Sequence, residues 1–143
     1  MKPDATILAF DFGTRRVGVA SGNTLMRIAQ PLTTIEVARS SRAIDAVASL
    51  IDEWRPAQLI VGLPVHADGT PHAMTARARR FAAELEARFR LPVALVDERF
   101  TTQIAGTTMR NAGVGGRKGR ESRDAVAAQI ILQAWLDAPD DES

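Results

Sequence analysis

The chain has 143 residues, 45% of them hydrophobic and 24% charged, with a net charge of +1. That length suits one globular domain, and no apolar run approaches the roughly 18 residues a membrane helix needs. There are no cysteines, which excludes thiol catalysis, disulfides and Cys-ligated zinc. The start, Met1-Lys2-Pro3-Asp4, does not read as a signal peptide, so a cytoplasmic location is expected.

The charge is unevenly spread. Asp137, Asp140, Asp141 and Glu142 crowd the last residues, and 139–143 reads as an acidic tail after a single domain over 1–138. Between Arg99 and Arg123 stand six basic residues and one acid, Glu121. A basic cluster of this kind suits a phosphate backbone, although a solvated loop gives the same composition.

In chain order, Ala5 to Phe12 reads as a first strand, Gly13 to Arg16 as a tight turn and Val17 to Ser21 as a second strand. Gly18 thins the second strand, where another backbone can pass close. Gly22-Asn23-Thr24 reads as a turn, and Leu25 to Gln30 as a third strand ended by Pro31. Ala43, Ile44, Val47, Leu50, Ile51 and Trp54 recur at helical steps, so a helix spans about 39–54. Leu59-Ile60-Val61 is continuously apolar, as in a strand covered on both faces, and Gly62-Leu63-Pro64 ends it.

Thr70-Pro71 reads as the start of a long helix carrying Met74, Ala78, Phe81, Leu85 and Phe89, with Glu84 and Arg88 spaced to pair. Pro92 to Val96 is the next strand, followed by a helix from Thr101 or Thr102 to about Asn111. Gly113 to Arg120, with four glycines, reads as a mobile loop, and a mostly apolar helix runs from about Ser122 to Leu136. A meander followed by alternating helices and strands predicts an α/β fold: a mixed five-stranded sheet with helices on both faces.

The acids at ends of buried elements are Asp11, Asp97, Glu98 and Asp124. Each has a structural explanation on its own: Asp11 can cap the Gly13 turn, and Asp124 can complement a helix dipole. Strand alternation allows only one of Asp97 and Glu98 to face a given site. Three converging carboxylates need a neutralising cation, and hard oxygen donors point to Mg²⁺ or Mn²⁺. Two such ions about 3.5–4 Å apart suit phosphodiester displacement. His66 and His72 fit no metal-ligand spacing and read as loop residues.

Four stretches together resemble the YqgF family of RuvX-type, Holliday-junction-resolvase-like proteins, which are linked to pre-16S rRNA processing. They are Ala9-Phe10-Asp11-Phe12-Gly13-Thr14-Arg15-Arg16-Val17-Gly18-Val19-Ala20, Ile60-Val61-Gly62-Leu63-Pro64 with Asp68-Gly69-Thr70, Val96-Asp97-Glu98-Arg99 with Thr101-Thr102, and Asp124-Ala125-Val126-Ala127-Ala128 leading into Ile130-Ile131-Leu132. The resemblance implies a ribonuclease-H-like fold and a metal-dependent nuclease acting on pre-rRNA or branched DNA. It places the metal-binding, catalytic carboxylates on Asp11, Glu98 and Asp124, choosing Glu98 over Asp97.

Arg16, Arg99, Lys118 and Arg123 are the candidate phosphate-holding residues. A monomer or weak homodimer is expected. Two other readings compete. One is a nucleotide-binding module, because Asp11-Phe12-Gly13-Thr14 also resembles an actin-like phosphate loop. The other is an RNA-binding assembly factor without catalysis.

Overall fold

A computed structural model describes residues 5–13, 15–36, 40–64, 74–98 and 116–138, with backbone only at 40–42 and 116–122. The described elements are β1 (Thr6–Phe12), β2 (Arg16–Asn23), β3 (Ile28–Glu36), α1 (Ser40–Trp54), β4 (Gln58–Leu63), α2 (Thr75–Phe89), β5 (Val93–Asp97) and α3 (Gly116–Asp137). The expected Thr70 cap, the helix after Thr101, both histidines and the acidic tail lie outside the described residues.

The five strands form one sheet in the order β3-β2-β1-β4-β5. β1, β2 and β3 pair antiparallel, while β4 joins β1 and β5 in parallel. The sheet is therefore mixed, as the meander-then-alternation pattern predicts.

Strand alternation sorts the apolar residues into two cores. Leu8, Phe10, Val17, Val19, Leu59, Val61 and Leu63 pack with α1 and α2 on one face. Ile7, Ala9, Ala20 and Ile60 meet Ala128, Ile131, Leu132 and Leu136 of α3 on the other. Small alanines on this second face let a single helix lie close to the sheet.

The third strand differs from expectation. It starts at Ile28 and runs through Pro31 to Glu36. Pro31 is tolerated because β3 is an edge strand and Pro31 faces Ala20 at a register shift. The turn before it falls at Thr24–Arg27, where Asn23 Oδ1 accepts hydrogen bonds from the amides of Leu25 (2.7 Å) and Met26 (3.1 Å). α3 secures this edge through its glutamines. Ala29 N–H donates to Gln133 Oε1 (2.9 Å), and Gln129 Nε2 donates to the Ala29 carbonyl (3.1 Å).

The last helix also differs. It begins at Gly116, so 116–120 of the expected loop are helical. Arg117, Lys118, Arg120 and Glu121 are acceptable helix formers, and a helix already anchored by its packed half propagates through them despite Gly119. On α2, Arg88 reaches Asp45 of α1 (3.5 Å), an exposed pair, rather than its expected neighbour Glu84.

Phe81 of α2 fixes the end of β1. Its ring meets Phe10 edge-on at 6.0 Å and lies 4.8 Å from Phe12 in a tilted stack. Phe10 and Phe12 flank Asp11, so their anchoring on one face aims Asp11 at the other. Phe81 is only 5% exposed. Phe81→Ala is expected to cost about 3–5 kcal/mol of stability in urea unfolding, the range for emptying a buried aromatic site.

Candidate active site

Asp11 is the third residue of the Ile7–Ala9–Asp11 row, the row that faces α3. Its neighbour across the antiparallel pair is Gly18. A Cβ on Gly18 would lie 1.8 Å from the carbonyl oxygen of Asp124. The backbone of α3 therefore rests directly on β2 beside Asp11, in the close approach that Gly18 suggests in the sequence. That contact delivers Asp124 to the site from far along the chain.

Glu98 follows β5 immediately. On β5, Ala94 and Val96 pack into the α3-side core, and Val93 packs into the opposite one. Alternation then places Glu98 with Ala94 and Val96, and Asp97 on the other face. The Glu98 carboxyl comes within hydrogen-bonding reach of Asp11, a contact that two carboxyl groups can satisfy only by sharing a proton.

Asp11 is accordingly pushed well above the usual carboxylate range. Burial is the main cause, followed by the charge of Glu98, the hydrogen bond with Glu98 and the charge of Asp124. The turn-cap explanation of Asp11 weakens here, because the Gly13 amide donates to the Arg16 carbonyl (3.0 Å).

Asp124 has a different partner. Arg16 Nε donates to Asp124 Oδ2 at 2.5 Å, and both side chains are mostly covered. Arg16, expected to hold phosphate, is thus engaged with a carboxylate across 108 residues of chain. Arg123 Nε is buried with no hydrogen-bond partner among the described residues. Arg99 lies outside the described residues, and Lys118 lies on α3 with its side chain undescribed.

Glu98 and Asp124 thus both act on Asp11. As they stand, no three acids among the described residues are gathered closely enough to hold one ion. The donor chemistry still fits a hard divalent cation. It is all oxygen, and a nearby cation would offset the burial and the neighbouring acids that disfavour ionised Asp11.

A family model for RuvX, described as Holliday junction resolvase, matches residues 5–138. The chain belongs to the RuvX family. A RuvX relative from Nitrosomonas europaea is 53% identical over 132 residues, spanning 92% of this chain and 89% of its own length. One from Chromobacterium violaceum is 52% identical over 133 residues, spanning 92% and 97%. Both carry the name "Putative pre-16S rRNA nuclease".

Among solved structures, T. thermophilus RuvC in complex with a Holliday junction substrate aligns with a TM-score of 0.59 at 18% identity, covering 92% of this chain and 93% of that one. The yeast mitochondrial Holliday junction resolvase aligns with a TM-score of 0.58 at 8% identity, covering 91% and 77%. These likenesses identify the fold as ribonuclease-H-like, as the resemblance of the four stretches implies.

In the unfolded chain Asp11 ionises in the ordinary range, whereas in the fold it holds its proton to higher pH. Its contribution to metal-free stability is present below the ordinary pKa and is lost as pH rises through the raised one. In excess chelator, stability should therefore rise on acidification from neutral pH through that window. Asp11→Asn should be more stable than the parent at neutral pH and show a flatter profile. Urea unfolding across pH checks this, and a less stable Asp11→Asn with an unchanged slope would contradict it.

Proposed function

We propose that the chain is a metal-dependent endonuclease acting on structured nucleic acid, with the 5′ end of pre-16S rRNA as its substrate. The observation that carries this reading is the Asp11–Glu98 carboxyl pair beside Asp124 on one face of a ribonuclease-H-like sheet. The names of the RuvX relatives, matched over nearly their whole lengths, support the choice of substrate. Among the described residues no helix is long and apolar enough to cross a membrane, and an rRNA substrate suits a cytoplasmic enzyme.

Asp11, Glu98 and Asp124 are the residues that would hold divalent cations, Mg²⁺ or Mn²⁺. Such ions, when bound, supply a deprotonated water at neutral pH and neutralise charge on the attacking and leaving oxygens. Asp11 would be the shared ligand, a reading supported by the influence of both other acids on its titration. A proton that the raised titration of Asp11 keeps near the pair would have to leave before both acids could act as ligands.

Arg16 keeps Asp124 oriented through Nε. The guanidinium is planar, so this one bond also sets the direction in which its remaining donors point. Arg123 and the basic residues at the start of α3 carry the positive charge that a phosphate backbone requires.

The deciding assay compares a pre-rRNA 5′-end fragment with a four-way DNA junction, using purified protein with and without Mg²⁺ or Mn²⁺. Metal-dependent cleavage of the RNA is expected. Asp11→Asn should reduce it about a hundredfold or more, on the scale of losing one electrostatic stabiliser of a transition state. Faster cleavage of the junction would instead identify a resolvase. Tight, salt-sensitive RNA binding without cleavage at any metal concentration would identify an assembly factor. Full activity of Asp11→Asn would remove the mechanism.

A further inference from the structure

Asp11 and Glu98 meet although their strands are not neighbours. β4 runs between β1 and β5. At strand spacings of about 4.8 Å, β1 and β5 lie roughly 10 Å apart, so the two side chains must close that gap above β4. The paired residues are Phe10 with Val61 and Gly62 with Val96. Continuing the β1–β4 register by one residue sets Gly62 beside Asp11. Alternation along β4 puts Gly62 on the same face as Ile60, the face of α3.

Gly62 is thus the residue beneath the crossing. A Cβ built on it would lie 2.7 Å from Glu98 Oε2 and 3.3 Å from Glu98 Cδ. It would also lie 2.5 Å from Ile131 Cδ1 of α3. The Glu98 carboxyl therefore occupies the space that any side chain at 62 would take. Read from the sequence, Gly62 is only the end of a strand, yet β4 continues through it to Leu63. A glycine inside an apolar strand is the signal for such an approach.

We propose that Gly62 is a positioning residue of the active site: its bare backbone is the gap through which Glu98 crosses β4 to reach Asp11. A methyl group there turns Glu98 away, and the pair that divalent ions need is lost. The functional part of this inference rests on the nuclease reading; the geometric part does not.

The test must separate Glu98 from packing, because Ile131 also crowds the site. Ile131→Val removes the Cδ1 methyl that a new Cβ would strike. The double variant Gly62→Ala/Ile131→Val therefore keeps the obstruction to Glu98 and relieves the one to α3. Its crystal structure is expected to show β4 paired as before, with Glu98 no longer hydrogen-bonded to Asp11.

Calorimetric titration with Mn²⁺ alone should show affinity about tenfold or more weaker than in Ile131→Val, within the range for losing support of a metal ligand. In a Glu98→Ala background that also carries Ile131→Val, adding Gly62→Ala should change Mn²⁺ affinity no further, since the residue on which it acts is gone. Glu98 still bonded to Asp11 in the double variant, or losses that simply add in the Glu98→Ala background, would overturn the proposal. A parent chain that binds no Mn²⁺ would sink the nuclease reading instead, and the Glu98 position in the crystal would still decide the role of Gly62.

Discussion

The constraint on which this structure turns is a carboxyl group held inside a covered sheet beside two more of its kind. A paired, hydrogen-bonded acid is tolerable there; an isolated charge is not. The fold resolves the conflict locally. Glu98 lies within hydrogen-bonding reach of Asp11, whose ionisation is pushed to higher pH, and Arg16 takes Asp124. Each of these solutions depends on close approach, and close approach depends on glycine. Gly18 lets the backbone of α3 down beside β1, and Gly62 leaves room above β4. The surrounding cores hold this costly centre in place. Burying one large apolar side chain contributes about 1.5–3 kcal/mol, and both faces of the sheet supply several, among them Leu8, Phe10 and Leu59 on one side and Ile7, Ile131 and Leu132 on the other.

Much of this was legible in the chain because period and burial agree. The continuous apolar runs of β1 and β4 mark strands covered twice, and both are (Ile7 to Phe10 and Leu59 to Val61 are fully buried). The repeat from Ala43 to Trp54 marks α1 with one buried face, and α1 ends where expected. The failures have physical causes. Pro31 is a strand breaker in a central strand but not at an edge, and nothing local tells the two apart. The glycines of the basic segment suggest a loop, yet the packed half of α3 extends helical structure back to Gly116.

The site was legible to a lesser degree, because its logic is tertiary. Asp11 stands out by itself as an acid in a buried strand. Asp124 does not: at the start of an expected helix it is explained well enough by the dipole. What distinguishes it is the contact of its backbone with Gly18 and its bond to Arg16, both made across more than a hundred residues. Arg16 was legible as a cation near the first carboxylate, but its partner was not. Sequence pattern reports which residues are buried or charged. It does not report which of them meet when the last helix closes on the first hairpin.

The choice between Asp97 and Glu98 shows how little separates a working site from a silent one. The two are adjacent, both acidic, and of similar reach. Only the phase of β5 decides which faces α3. β5 is five residues long and, among the described residues, lies at the sheet edge and pairs with β4 alone. A slip of one residue would turn Asp97 to the site and Glu98 away. The phase is held by which side chains find a core. Val93 packs into the core shared with α1 and α2, while Ala94 and Val96 pack into the core on the opposite face, where the adjacent strand β4 presents Ile60. Leu95 finds neither and is 40% exposed. A slipped strand would turn Ala94 and Val96 out of their core and carry Asp97 rather than Glu98 toward Gly62, the one position on β4 that leaves room for a carboxyl group. The packing of a five-residue strand therefore decides which acid reaches Asp11.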